Sequence, residues 1–216
     1  MKVLVIAPHN DDEVLGVGGT IKRYINKGHD VYVCEVTSGP MFKVLQAEAK
    51  AAHAMLGVKA TRFLNLPVGE LKLMEPYKVN AAIEKVIKDI KPEIVFIPFW
   101  GDMHLDHKEV CESSMVALRP VADYSVREIY MYETLSETGW NIPLNDKSFV
   151  PDVWIDITDT LDDKLLAMSC YKSQLKAYPN PRSIDAIKAL AMYRGSTVGV
   201  KYAESFQLVR RIVRDY

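Results

Sequence analysis

The sequence predicts a three-layer αβα Rossmann-like sandwich built on a mostly parallel central sheet. Three observations predict it. Residues 3–7 (VLVIA) form an unbroken apolar, β-branched run, the mark of a strand buried on both faces. Residues 94–97 (IVFI) repeat that signature in the middle of the chain. Strand-like runs alternate with segments of helical periodicity, and such alternation yields parallel strands joined by right-handed crossovers.

The first strand, 3–7, stops at Pro8. A helix over 12–27 carries Val14, Leu15, Ile21 and Ile25 at helical spacing and ends at Gly28, a residue suited to the left-handed turn that closes helices. A strand over 31–36 follows, then a helix over 42–56 closed by Gly57, then a short strand around 62–66. The segment 77–90 places Val79, Ile83, Val86, Ile87 and Ile90 on one helical face, and Lys91-Pro92 ends it. The strand 94–97 closes at Pro98. A helix over 108–118, strands over 129–132 and 153–157, and helices over 161–173 and 184–193 complete the order. No repeat, linker or low-complexity tract interrupts the pattern, so residues 1–216 are read as one domain.

Composition excludes several classes. Hydrophobic residues at 49% and charged residues at 25% match a globular protein rather than a disordered or fibrous one. A formal net charge of −1 provides no broad electropositive surface, so no nucleic acid partner is expected. Cys34, Cys111 and Cys170 are odd in number and lack C-x-x-C spacing, which points to reduced thiols and a cytoplasmic location. The apolar start is too short, and too soon followed by acidic residues, for a secretory leader. No run of about 18 apolar residues exists, so no membrane span is expected.

This fold carries a positional prediction. The first and fourth strands lie side by side where the winding reverses, and ligands settle beyond their carboxyl ends. His9-Asn10-Asp11-Asp12 follows the first strand and His104-Leu105-Asp106-His107 follows the fourth. The two polar clusters are therefore expected to face each other across one crevice.

Their chemistry is that of a catalytic metal site. His9, Asp12 and His107 supply two nitrogens and an oxygen, and catalytic zinc uses three protein ligands with a fourth position left for water. Such an ion lowers the pKa of its water and polarises a carbonyl. Asp11 is the candidate general base and His104 the candidate acid and oxyanion stabiliser. Asp106 is assigned the orientation of an imidazole. Glu13, in the first helical turn, is assigned a structural role. A single His-x-x-Asp at a helix start is more often a cap than a ligand; the convergence of three of the five histidines on two strand ends favours the metal. His29 and His53 are read as ordinary helix-end and helix-face residues. Gly16-Val17-Gly18-Gly19 begins well after the strand and lacks G-x-G-x-x-G spacing, so close helix packing is expected rather than dinucleotide binding. No P-loop or G-x-S-x-G elbow occurs.

Residues 7–20 (APHNDDEVLGVGGT), together with His104-Leu105-Asp106-His107, resemble the PIG-L/LmbE-like family of zinc-dependent N-acetylglucosaminyl de-N-acetylases. Residues 48–57 resemble its second helix, and Tyr171-Lys172-Ser173-Gln174 and residues 199–206 its C-terminal motifs. The resemblance implies a metal-dependent amidohydrolase that removes acetyl from an N-acetylglucosamine-type amino sugar, free, in a disaccharide or linked to an aglycone. It implies the same assignments: His9, Asp12 and His107 as ligands, Asp11 as base, His104 as proton donor. Zn2+ is the implied cofactor, with Fe2+, Co2+ or Mn2+ accepted by similar donors, and a cytoplasmic homo-oligomer (hexamer, trimer or dimer) the implied assembly. The chain departs from the family pattern at Asn10 and Leu105, where proline is usual, and at Leu45 and Gln46, where an arginine is common. A lost arginine alters substrate choice more than reaction. Asp102 is a candidate sugar contact, and Arg182 or Lys201 candidates for an anionic aglycone. Two alternatives stand beside this reading: a metal-dependent hydrolase of another amide or ester, and a catalytically inactive Rossmann-type binding protein.

Overall fold

A computed structural model of the chain describes residues 1–121, 126–142 and 148–213. Among these residues seven strands, β1 (Lys2–Ala7), β2 (Asp30–Ser38), β3 (Ala60–Pro67), β4 (Ile94–Pro98), β5 (Glu128–Tyr132), β6 (Val153–Asp156) and β7 (Ala203–Arg211), form one sheet in the order β3-β2-β1-β4-β5-β7-β6. The first five are parallel to one another, and β7 inserts antiparallel between β5 and β6. Among the described residues six α-helices accompany them: α1 (Asp12–Asn26), α2 (Phe42–Leu56), α3 (Pro76–Ile90), α4 (Leu105–Ala117), α5 (Leu161–Cys170) and α6 (Ile184–Ser196).

Strand alternation splits the interior into two cores. Val3 and Val5 of β1, Val31 and Val33 of β2, and Ile94 and Phe96 of β4 face α1, α2, α5 and α6. Their neighbours Leu4, Ile6, Cys34, Val36, Val95 and Ile97 face α3 and α4. Full burial of such side chains contributes about 1.5–3 kcal/mol each, which explains why these strands are apolar without a break. The sheet is thus covered on both faces, the three-layer arrangement that the sequence predicts.

The chain winds from β1 outward to β3, then returns through α3 to β4 on the opposite side of β1. The loops leaving β1 and β4 consequently open at the same place. The glycines of α1 allow it to pack closely: a Cβ on Gly16 would run into the Tyr132 ring, and one on Gly19 would stand 2.8 Å from Ile157.

One strand and several boundaries differ from the sequence reading. Strand β7 escapes it because Glu204, Gln207, Arg210 and Arg211 dilute the apolar signal, although Ala203 and Phe206 are buried. Helix α4 begins at Leu105 rather than 108, since the His104 side chain caps it by accepting from the Asp106 amide at 3.1 Å. Helix α5 stops at Cys170, and α6 continues to Ser196.

Candidate metal centre

The β1 and β4 loops bring His9, Asp12 and His107 together. One donor atom from each lies within 4.8 Å of the others. His9 Nδ1 is 3.3 Å and His107 Nε2 3.1 Å from the same oxygen, Asp12 Oδ2. Donors about 2.1 Å from a tetrahedral ion lie about 3.4 Å apart, so the cluster has the spacing of a chelate.

Asp12 owes its placement to the turn from strand to helix, where its Oδ2 accepts the His9 backbone amide at 2.9 Å. His107 sits in the first turn of α4 and is wholly buried, as is Asp12. A carboxylate holds the remote nitrogen of each imidazole: His107 Nδ1 donates to Asp102 Oδ2 at 2.8 Å, and His9 Nε2 donates to Asp106 Oδ2 at 3.1 Å. Such pairs fix ring orientation and raise the basicity of a ligating nitrogen. Asp102 is itself clamped by Thr138 Oγ1 at 2.5 Å.

His107 Nε2 and Asp12 Oδ1 are among several buried atoms with no hydrogen-bond partner in the described residues, as are Asp11 Oδ2 and Asp106 Oδ1 at the same site. Leaving such groups unpaired costs about 1–3 kcal/mol each, and the first two belong to the candidate chelate. The donor set therefore fits a divalent ion. A second cluster, His9, His104 and Asp106, has comparable spacing. It fits less well, because its His104 is more exposed than Asp12 and His107 and already spends Nδ1 on the Asp106 amide.

The electrostatics also favour a cation. Burial opposes a charge on His9, yet hydrogen bonds to Asp106 and Asp12 carry its pKa up to about 9. Burial likewise opposes a charge on His107, but Asp12 and Asp102 raise its pKa to about 10. Asp12 stays ionised despite its burial because of the His107 charge beside it. These carboxylates stabilise positive charge at one point, whether on protons or on a metal that displaces them.

Asp11 is buried next to the cluster, and its Oδ2 makes no hydrogen bond among the described residues. Burial, followed by the charge of Asp12, raises its pKa to about 8. Its backbone has φ +125°, a positive-φ conformation that costs a non-glycine residue about 1–3 kcal/mol. His104 is half-buried, and its Nδ1 accepts from the Asp106 amide. The neutral ring therefore carries its proton on Nε2, as a donor. Burial and the neighbouring His9 charge lower its pKa. A cavity of about 530 Å³ opens against His9, Asp11 and His104.

Several sequence readings require correction. Asp102, expected to touch a sugar, is fully buried and orients His107 instead. His53, expected to be an ordinary helix-face residue, is 3% exposed, pairs with Thr61 Oγ1 at 2.7 Å and donates to Glu13 Oε1 at 3.1 Å. Glu13 also accepts from Tyr171 Oη and from the Asp11 amide. Glu35 adjoins this group, 3.6 Å from His53; burial and then the Glu13 charge push its pKa well above the carboxylate range. Arg182 lines the cavity, 3.7 Å from Asp11 Oδ2, whereas Lys201 does not line it. No local pattern marks these residues, since their partners come from distant segments.

The sequence model of the PIG-L family, described as GlcNAc-PI de-N-acetylase, matches residues 4–118. The chain is 27% identical over 240 residues to a diacetylchitobiose deacetylase of Thermococcus kodakarensis, covering 96% of this chain and 83% of that protein. It is 25% identical to a 1D-myo-inositol 2-acetamido-2-deoxy-alpha-D-glucopyranoside deacetylase of Mycobacterium sp. (strain JLS), covering 88% of this chain and 80% of the relative. A crystal structure of a conserved protein from Thermus thermophilus superposes with a TM-score of 0.82 at 26% identity, covering 99% of this chain and 96% of the other.

Proposed function

The chain belongs to the PIG-L family of GlcNAc-PI de-N-acetylases, and on that footing we propose that it hydrolyses the acetamido group of an N-acetylglucosamine-type amino sugar. The observation that carries this reading is the meeting of His9, Asp12 and His107 beside the buried carboxylate of Asp11. The relatives named above are deacetylases of amino sugars that differ in what the sugar is attached to, which supports the reaction more strongly than any one substrate.

His9, Asp12 and His107 would hold the metal, zinc by the nitrogen and oxygen character of the donors, with ferrous iron, cobalt or manganese compatible. When bound, such an ion polarises the amide carbonyl and makes water a better nucleophile near neutral pH. Asp11 accepts the proton of the attacking water, for which a base poised near neutrality is well matched. His104, whose Nε2–H is free of the capping bond made by Nδ1, donates that hydrogen to the developing oxyanion and steadies the departing nitrogen, which receives the proton that Asp11 took from the water. Asp102 and Asp106 hold the two imidazoles in register. The burial of Asp11, Asp12 and His107 keeps bulk water from competing for these bonds.

The same reading makes the protein a cytoplasmic homo-oligomer acting on a small molecule. Its free cysteines support that compartment, and no described helix is long and apolar enough to cross a membrane. The test is acetate release from diacetylchitobiose and from N-acetylglucosaminides, measured with zinc and after chelation. Release that chelation abolishes and zinc restores is expected; release unaffected by chelation would remove the metal from the reaction.

A further inference from the structure

The lining of the cavity beside Asp11 is of two kinds. His9, Asp11 and His104 are ionisable, while Pro40, Met41, Leu45 and Val68 are apolar and adjoin one another, the Val68 amide donating to the Ser38 carbonyl at 3.2 Å. The apolar part is assembled from the loop after β2, the start of α2 and the loop after β3. Met41 is 51% exposed and Val68 37%, so this wall presents apolar surface to solvent at the same opening that admits a substrate to Asp11. The volume, about 530 Å³, lies within the range of small-ligand sites, roughly 300–1,000 Å³.

Charge narrows what can lie against that wall. Among the described residues, Arg182 is the only lysine or arginine lining the cavity, and it is already engaged. Its Nε donates to Ser136 Oγ and its Nη1 to Gln174 Oε1, each at 3.1 Å. The Asp11 carboxylate lies 3.7 Å from its Nη1, and that of Glu137 lies 3.8 Å from its Nη2. A carboxylated aglycone would meet the Asp11 carboxylate in that lining, and the charge of Arg182 is already shared between Asp11 and Glu137. An apolar one would cover Met41, Leu45 and Val68, and methionine adapts readily to the shape of an apolar partner.

We propose that the wall formed by Pro40, Met41, Leu45 and Val68 is a subsite for an apolar or aromatic aglycone. The substrates are then N-acetylglucosaminides bearing such a group, in preference to the free sugar or to a carboxylated conjugate. The proposal rests on the deacetylase reading above for the placement of the sugar, because an aglycone lies along this wall when the sugar nitrogen, acetylated or free, lies beside Asp11. One apolar group in a fitted pocket discriminates by about tenfold or more.

Calorimetric titration of the metal-loaded protein separates the two ideas. Three amines are compared: glucosamine, its phenyl glycoside, and its glycoside with a hydroxy acid. The phenyl glycoside is expected to bind about tenfold tighter than glucosamine, and the acid conjugate no tighter. Leu45→Arg is expected to erase the phenyl advantage and strengthen the acid conjugate, and Val68→Lys to do the same from the opposite loop. Equal affinity for all three, a preference for the acid, or no binding by any would overturn the subsite. Acetate release from the matching N-acetyl compounds is followed in parallel. Its absence, with the phenyl preference intact, would refute deacetylation and leave the apolar subsite standing.

Discussion

The backbone amide of Asp11 donates to Oε2 of Glu13 at 3.2 Å, so a residue held at φ +125° is tied to a wholly buried carboxylate two positions ahead. The other oxygen of Glu13 accepts from Tyr171 and His53, and His53 is paired to Thr61. Strands, helices and a distal loop thereby converge to fix the conformation of the candidate base. Glu13→Gln preserves shape but presents a donor to one of these donors. It is expected to lower kcat by about tenfold, as small misplacements of reacting groups do, with KM and bound metal near wild type. Steady-state kinetics and metal analysis check this; an unchanged kcat would show that the Asp11 conformation is held without Glu13.

Asp11→Asn removes the acceptor for the water proton and leaves the three metal donors in place. Turnover is expected to fall by roughly 10² to 10⁴ fold with metal content retained. Parallel loss of metal would place Asp11 among the ligands instead.

His104→Ala deletes the Nε2–H donor and the N-terminal cap of α4 together. A rate loss of roughly 10² to 10⁴ fold is expected, along with a stability loss of about 0.5–2 kcal/mol from the missing cap. Kinetics and thermal melts separate the two. Full activity in a slightly less stable protein would leave His104 as a cap alone.

Asp102→Asn breaks the charged bond to His107 Nδ1 without touching a ligand. Metal affinity is expected to weaken by roughly 10–100 fold, read by competition with a chromophoric chelator. Wild-type affinity would mean that His107 is oriented by packing rather than by the carboxylate.

Lys164 and Glu204 form a buried pair at 2.6 Å. Glu204 also accepts the amides of Gly19 and Thr20, and Lys164 donates to the Leu15 carbonyl. Lys164→Met is therefore expected to destabilise by about 3–5 kcal/mol, because it leaves Glu204 charged and uncompensated. Lys164→Met with Glu204→Gln should recover part of that loss in denaturant unfolding. Equal destabilisation by the single and double variants would assign the effect to packing.

Periodicity alone was enough for most of the fold. The run at 3–7, the helical faces of α1 and α3 and the run at 94–97 report their own burial, since a strand covered on both sides must be apolar throughout. The order of those elements then located both polar clusters, because a doubly wound sheet opens where its winding reverses. His9, Asp11, Asp12, His104, Asp106 and His107 were legible in that way.

Tertiary structure alone decided the partners. Asp102 read as a candidate sugar contact until Thr138 and His107 enclosed it, and His53 read as a helix-face residue until Glu13 and Thr61 met its two nitrogens. Strand β7 became recognisable only through its pairing with β5 and β6. The physical reason is common to all three. A periodic pattern records how deeply a residue is buried, whereas the identity of a buried polar group's partner depends on which distant segment the fold carries to it.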